Sequence, residues 1–209
     1  MLSNAFDFYY KAAELKDILR SGAIQWSVKK ERMESVAEHI YGCLILAIAL
    51  KSELMIGVDL GKVLEMITIH ELEELVIGDI TPLDTVNKSD LEQEAKNAVE
   101  EIVSKLNFSN ELLSLTDEFN LGKSNEAKFA KAIDKLECVL EFKKYQDRGQ
   151  VSLNNVTDKM LENKVLREYV ESGKYDLADI FFLFHMHAFE EYGINEEYWF
   201  KELKKMKIE

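Results

Sequence analysis

A single proline, Pro82, interrupts 209 residues, and this scarcity of breakers constrains the fold more than any other feature. Leu, Glu, Lys and Ala are abundant and only nine glycines are present, so helices can run long with few forced ends. No segment keeps the period-two alternation of a half-buried strand. The expectation is an all-α bundle formed by one domain over residues 1–209. A chain of this length buries roughly 70% of its unfolded surface without needing disulfide staples.

Caps and periodicity place the elements. The first helix is expected over about 4–20, with Ser3 as cap and Gly22 beyond its end. An irregular stretch over 23–33 contains Trp26. A second helix over 34–55 holds the run CLILAIAL, apolar all round and therefore deeply buried. A third spans 60–77 and is closed by Gly78 and Pro82. Further helices are expected over 90–106 behind Ser89, 109–120 before Gly122, 126–147, 158–172, 177–192 and 196–207. The aromatic-rich C-terminal part, with Phe181, Phe182, Phe184, Tyr192, Tyr198, Trp199 and Phe200, exceeds the needs of the remaining core and suggests a homodimer interface.

A net charge of −13 makes the surface repel phosphate backbones, so no nucleic-acid polymer is expected as partner. Cys43 and Cys138 form no CxxC pair and no disulfide framework. The N-terminus carries early charge and lacks the apolar core of a signal peptide. The longest apolar run, 43–50, is far short of the ~20 residues a membrane span needs. A soluble protein in the reducing cytoplasm, with no membrane partner, is the expectation.

The third helix carries the chemistry. His70 and Glu74 are four apart and Glu71 and Glu74 three apart, so they share one helical face. An imidazole and carboxylates on an otherwise apolar helix are costly to bury alone, and a divalent metal would relieve that cost. His39 and Asp134, on two other helices, complete a set of two imidazoles and two carboxylates. Such a mixed set suits Mn, Co, Fe, Ni or Zn, with water in the remaining positions. Adjacent helical residues point ~100° apart, so His70 and Glu71 reach one ion only over the groove between them. Each residue also has a plainer reading. His39 could be a satisfied core histidine, Asp79 a cap for the Gly78–Pro82 turn, and Trp26 a packing anchor. Cys43 and Cys138 are assigned to packing, and His185 and His187 point in opposite directions, one inward and one outward.

Three separated stretches in register, ESVAEH at 34–39, IHELEELVIGDITP at 69–82 and AIDKLE at 132–137, resemble the HD-domain metal-dependent phosphohydrolases. The resemblance is strongest to their branch of deoxynucleoside 5′-monophosphate nucleotidases, and it covers about residues 15–145. It implies an all-α core with one divalent cation (Mg added to the metals above) held by His39, His70, Glu71 and Asp134. It further implies that Glu74 and Asp79 manage protons while a metal-activated water attacks a small phosphorylated substrate, a nucleotide, and that Gln25 and Trp26 bind that substrate. Two departures stand out. Glu71 replaces the family's Asp, and Gln25 precedes Trp26 where an Arg is common, with Arg20 six residues earlier. The resemblance therefore implies weaker phosphate binding. The alternative is a degenerate family member that binds metal or nucleotide without turnover.

Overall fold

The structure is a computed structural model that describes residues 2–31, 33–54, 57–84, 86, 88–174 and 176–191. Among these residues all extended structure is a single antiparallel bridge, Leu19 to Ser35, and the architecture is all-α as expected. The helices are α1 (Leu2–Ala13), α2 (Ser21–Gln25), α3 (Val36–Leu54), α4 (Leu60–Ile69), α5 (Glu74–Ile77), α6 (Lys88–Val103), α7 (Ser109–Leu121), α8 (Asn125–Asp147), α9 (Lys164–Glu171) and α10 (Leu177–Glu191). The helix expected over 196–207, with Tyr198, Trp199 and Phe200, lies outside the described residues, as does Tyr192.

α8 organises the packing. Ser124 caps it by accepting from the Ala127 N–H at 3.1 Å, and the helix contacts α3, α4, α7 and α10. Its first half joins a core built from Val36, Cys43, Ala47, Val63, Met66 and Ile67. Its second half joins an aromatic core with Trp26, Phe142, Tyr145, Leu166, Ile180 and Phe182. Phe142 stacks on Phe181 at 3.6 Å between centroids, and Trp26 lies 6.3 Å from Phe142 and 5.8 Å from Phe181. Phe181 and Phe182 are thus buried within this chain, not spare surface for a second copy. Of the aromatic residues read from the sequence as surplus, these two belong to a second core that the motif region does not reveal.

A short helix, α2, begins just before the stretch expected to be irregular, and three of the expected helices are interrupted, each for a local reason. The first helix stops at Ala13, continues as a 3₁₀ turn over Glu14–Lys16, and gives way to extended chain that pairs with the segment before α3. There the Arg20 N–H donates to the Glu34 carbonyl (2.9 Å) and the Val36 N–H to the Ile18 carbonyl (2.8 Å). The expected helix over 158–172 is a 3₁₀ turn, Met160–Glu162, followed by α9, which Asn163 caps from its side chain.

The third difference concerns the segment that carries the chemistry. The helix expected over 60–77 breaks after Ile69, and 70–73 form a turn before α5. The His70 Nδ1–H donates to the Ile67 carbonyl at 2.7 Å. A continuing helix would give that same carbonyl to the Glu71 N–H, so the side chain competes with the next turn. Gly78, at φ 76°, then closes α5 in a conformation that favours glycine.

Trp26 is 1% exposed and its ring packs against the stacked pair of Phe142 and Phe181. Trp26→Ala is expected to lower unfolding free energy by about 3–5 kcal/mol, read from the denaturant midpoint at unchanged m-value.

Candidate metal centre and active site

Each candidate residue is placed by its own element. His39 sits in the first turn of α3, fully buried, and its Nδ1–H donates to Glu137 Oε2 at 2.6 Å. Its Nε2 consequently faces Asp134 Oδ1 (3.2 Å) and Glu71 Oε1 (3.7 Å). His70, held through Nδ1 by Ile67, presents its Nε2 to Glu71 Oε1 (3.2 Å) and Asp134 Oδ1 (3.8 Å). Two imidazole nitrogens and two carboxylate oxygens therefore converge, all within 4.8 Å of one another. On the turn over 70–73, His70 and Glu71 face one point.

The arrangement fits a divalent cation. His70 Nε2 is buried without a hydrogen-bond donor, its lone pair directed at carboxylate oxygens that are acceptors too. Acceptors facing acceptors in a buried site require a positive charge between them. Separations of 3.2–3.8 Å lie near the ~3.0–3.4 Å expected for donors around a common first-row ion. The Glu137–His39 contact is the outer carboxylate that commonly fixes a ligating imidazole's tautomer. Glu71 reaches both Nε2 atoms despite its extra methylene, because the turn rather than a helix carries it.

Charge is balanced locally. Lys135 Nζ contacts Asp134 Oδ2 at 2.7 Å, leaving Oδ1 for the imidazoles. Arg20 Nη1 donates to Asp79 Oδ1 (3.1 Å) and lies 3.8 Å from both Glu71 and Glu74. Although Gln25 precedes Trp26, a guanidinium stands beside this cluster, that of Arg20. The bridge of Leu19 to Ser35 carries it there. Asp79 also accepts the Ser21 N–H at 2.7 Å, so it caps α2 instead of ordering its own turn. Asp84 performs that task through the Thr81 N–H at 2.7 Å.

Burial, with Glu71 and Asp79 nearby, pushes the Glu74 carboxyl up to about 11. In this setting it is a proton donor, and positive charge beside it converts it toward a base. Burial also raises Glu71, but His70 and Arg20 more than reverse this and hold it below the ordinary carboxylate range. Burial lowers His70, yet Glu71 and Asp134 prevail and raise it to about 9.

Gln25 and Trp26 stand apart from this cluster. The Gln25 amide donates to Asp84 Oδ1 at 2.9 Å and accepts from the Thr81 hydroxyl at 2.8 Å, and Trp26 is packed in the aromatic core. Cys43 packs against His39, with Sγ 3.6 Å from Nε2, and Cys138 Sγ lies 3.3 Å from Arg20 Nη2. Sequence reasoning gave no role to Arg20, Lys135 or Glu137. Glu137 was detectable, since it follows Asp134 by three residues on the buried face of α8.

Residues 12–171 match the HD domain. The chain belongs to the HD-domain family. The likeness read from the three sequence motifs to the HD-domain metal-dependent phosphohydrolases is borne out. This HD-domain chain is 31% identical over 184 residues to the 5′-deoxynucleotidase HDDC2 of Dictyostelium discoideum, covering 83% of this chain and 91% of that one. It is 28% identical to the human protein of the same name over 142 residues, 67% of each chain. A predicted metal-dependent phosphohydrolase from Magnetospirillum magnetotacticum shares the fold, with TM-score 0.61 at 23% identity over 91% of this chain and 93% of that one. Among the described residues no helix is long and apolar enough to cross a membrane.

A cation and a proton compete for His70 Nε2, which is raised to about 9. Mn²⁺ affinity measured by calorimetry is therefore expected to rise by up to ~tenfold per pH unit per proton displaced as pH approaches 9, and to fall as pH is lowered.

Glu137 supports His39 across a close approach: a Cβ added at Gly42 would lie 2.5 Å from Glu137 Oε1. Gly42→Ala and Glu137→Gln should each weaken metal binding by about 10–100-fold, with the helical circular dichroism retained.

Proposed function

We propose that this HD-domain protein is a metal-dependent phosphohydrolase that releases phosphate from a nucleoside 5′-monophosphate. The observation that carries the reading is the convergence of His39, His70, Glu71 and Asp134, three of which line a cleft of about 680 Å³ together with Glu74. The names of the relatives, 5′-deoxynucleotidases, supply the substrate class. Two free cysteines, Cys43 and Cys138, are consistent with a reducing cytoplasmic setting.

His39, His70, Glu71 and Asp134 would hold the cation, with Mn, Co, Fe, Ni, Zn or Mg compatible with this nitrogen and oxygen set. A bound divalent cation polarises a phosphoryl oxygen and eases deprotonation of water. The protein does the rest by position. Glu137 and the Ile67 carbonyl fix the two imidazoles so that both Nε2 lone pairs face inward. Arg20, fastened to Asp79, lies between Glu71 and Glu74 and offers a guanidinium to the phosphoryl oxygens. Lys135 adds a second positive charge at the same end of the cleft. Glu74, buried and beside Glu71 and Arg20, takes a proton from the attacking water and returns one to the departing alkoxide. Asp79 positions Arg20 and Ser21 for this task.

Phosphate release should be detected with a panel of nucleoside monophosphates under Mn²⁺, Co²⁺ or Mg²⁺. Glu74→Gln is expected to lower kcat by about 10²–10⁴-fold while metal content per chain, read by elemental analysis, stays at the wild-type level. Wild-type turnover in Glu74→Gln would remove the proton-handling role.

A further inference from the structure

A second hollow, of about 270 Å³, is lined by none of the four converging residues. Glu34 and Glu141 line it. Glu137 precedes Glu141 by one turn of α8, and one oxygen from each of the three carboxylates lies within 4.8 Å of the others. All three residues are buried. We infer that Glu34, Glu137 and Glu141, with the hydroxyl of Tyr145, hold a second cation, distinct from the one at His39, His70, Glu71 and Asp134. Its class is that of hard divalent ions, Ca²⁺, Mg²⁺ or Mn²⁺. This goes beyond the phosphohydrolase reading and does not depend on it.

The charges around the three carboxylates do not balance. Glu137 Oε2 accepts the Nδ1–H of His39, and Glu141 pairs with Lys144 Nζ. Among the described residues Glu34 has no such partner. Arg20 and Lys135 also line the hollow, but they are committed to Asp79 at 3.1 Å and to Asp134 at 2.7 Å. Arg20 reaches Glu34 only through its backbone, whose N–H donates to the Glu34 carbonyl. Three buried carboxylates therefore share one ammonium and one imidazole N–H, a costly arrangement without further positive charge. Burial, then Glu137 and Glu141, push the Glu34 carboxyl up to about 8, so a proton is held there when no cation is.

Tyr145 points to a ligand independently of that balance. It is 1% exposed, and its hydroxyl is buried with no hydrogen-bond partner. It lines the same hollow, one turn after Glu141 on α8. After burial, Glu141 and Glu34 do most to hold this hydroxyl above its ordinary range, which places it facing their carboxylates. A buried hydroxyl left unbonded is unfavourable, and an ion seated among the carboxylates gives its oxygen a partner.

The donor set fixes the class of ion. Only oxygens converge here, whereas the first centre offers two imidazole nitrogens as well. Carboxylate and hydroxyl oxygens suit hard cations. Glu137, with Oε2 on His39, stands between the two centres.

The test counts ions on the full chain. After dialysis against Mn²⁺, Glu34→Gln and Glu141→Gln should each carry about one ion per chain fewer than wild type by elemental analysis. The same loss should appear when either change is made in His70→Ala, which disables the first centre. Equal Mn²⁺ content in wild type and both variants overturns the site. So does a loss that vanishes in the His70→Ala background, since the carboxylates would then act only through Glu137 and His39. Both substitutions remove buried charge and keep side-chain shape, so unfolding midpoints without metal should match or exceed the parent's. Ca²⁺ should raise the midpoint of His70→Ala by binding its folded state, and leave His70→Ala with Glu34→Gln unmoved. A rise of equal size in both, or in neither, overturns the proposal. Neither measurement involves phosphate release, so a failure here is distinct from a failure of the phosphohydrolase reading.

Discussion

Burying carboxylates without compensating charge is among the most expensive things a fold can do, and this one gathers Glu71, Glu74, Asp134 and Glu137 into a single protected region. Every neighbouring feature answers that cost. Lys135 takes one oxygen of Asp134, Arg20 stands between Glu71 and Glu74, and His39 donates to Glu137. What these contacts leave over is a point where lone pairs face lone pairs. Affinity for a cation is therefore a consequence of how the helices pack, not an addition to it.

The same pressure explains the local backbone. A straight helix over the segment with His70 would have aimed His70 and Glu71 into different sectors. The imidazole's hold on Ile67 ends the helix where the two side chains can be used together. The longer arm of Glu71 is accommodated by this turn. In the same way, the short bridge before α3 sets Arg20 beside carboxylates some fifty residues later in the chain, since its backbone N–H is tied to Glu34. Small departures from regular helix thus carry much of the geometry.

The all-α class was legible because proline is nearly absent and apolar residues recur at helical spacing, and α7 and α8 fall within a residue of where caps and glycines put them. The four converging residues were legible only with the family likeness, because any acidic helical chain offers such combinations. What escaped was long-range. Nothing in the sequence near Trp26 says that Arg20 comes to lie beside Asp79, Glu71 and Glu74, since that depends on a two-residue bridge. The break after Ile69 depends on a side-chain bond that periodicity cannot register. Phe181 and Phe182 looked surplus because the partners that bury them, Trp26 and Phe142, are remote in the chain.

α8 passes through both hydrophobic cores, with Asp134, Lys135 and Glu137 on the stretch between its two anchored ends. A rod gripped at both extremities resists torsion about its own axis. Since one residue's step turns a helix by ~100°, even a fraction of that twist would swing these side chains off target. The aromatic half of the molecule then serves as the vice that keeps the converging side chains in register.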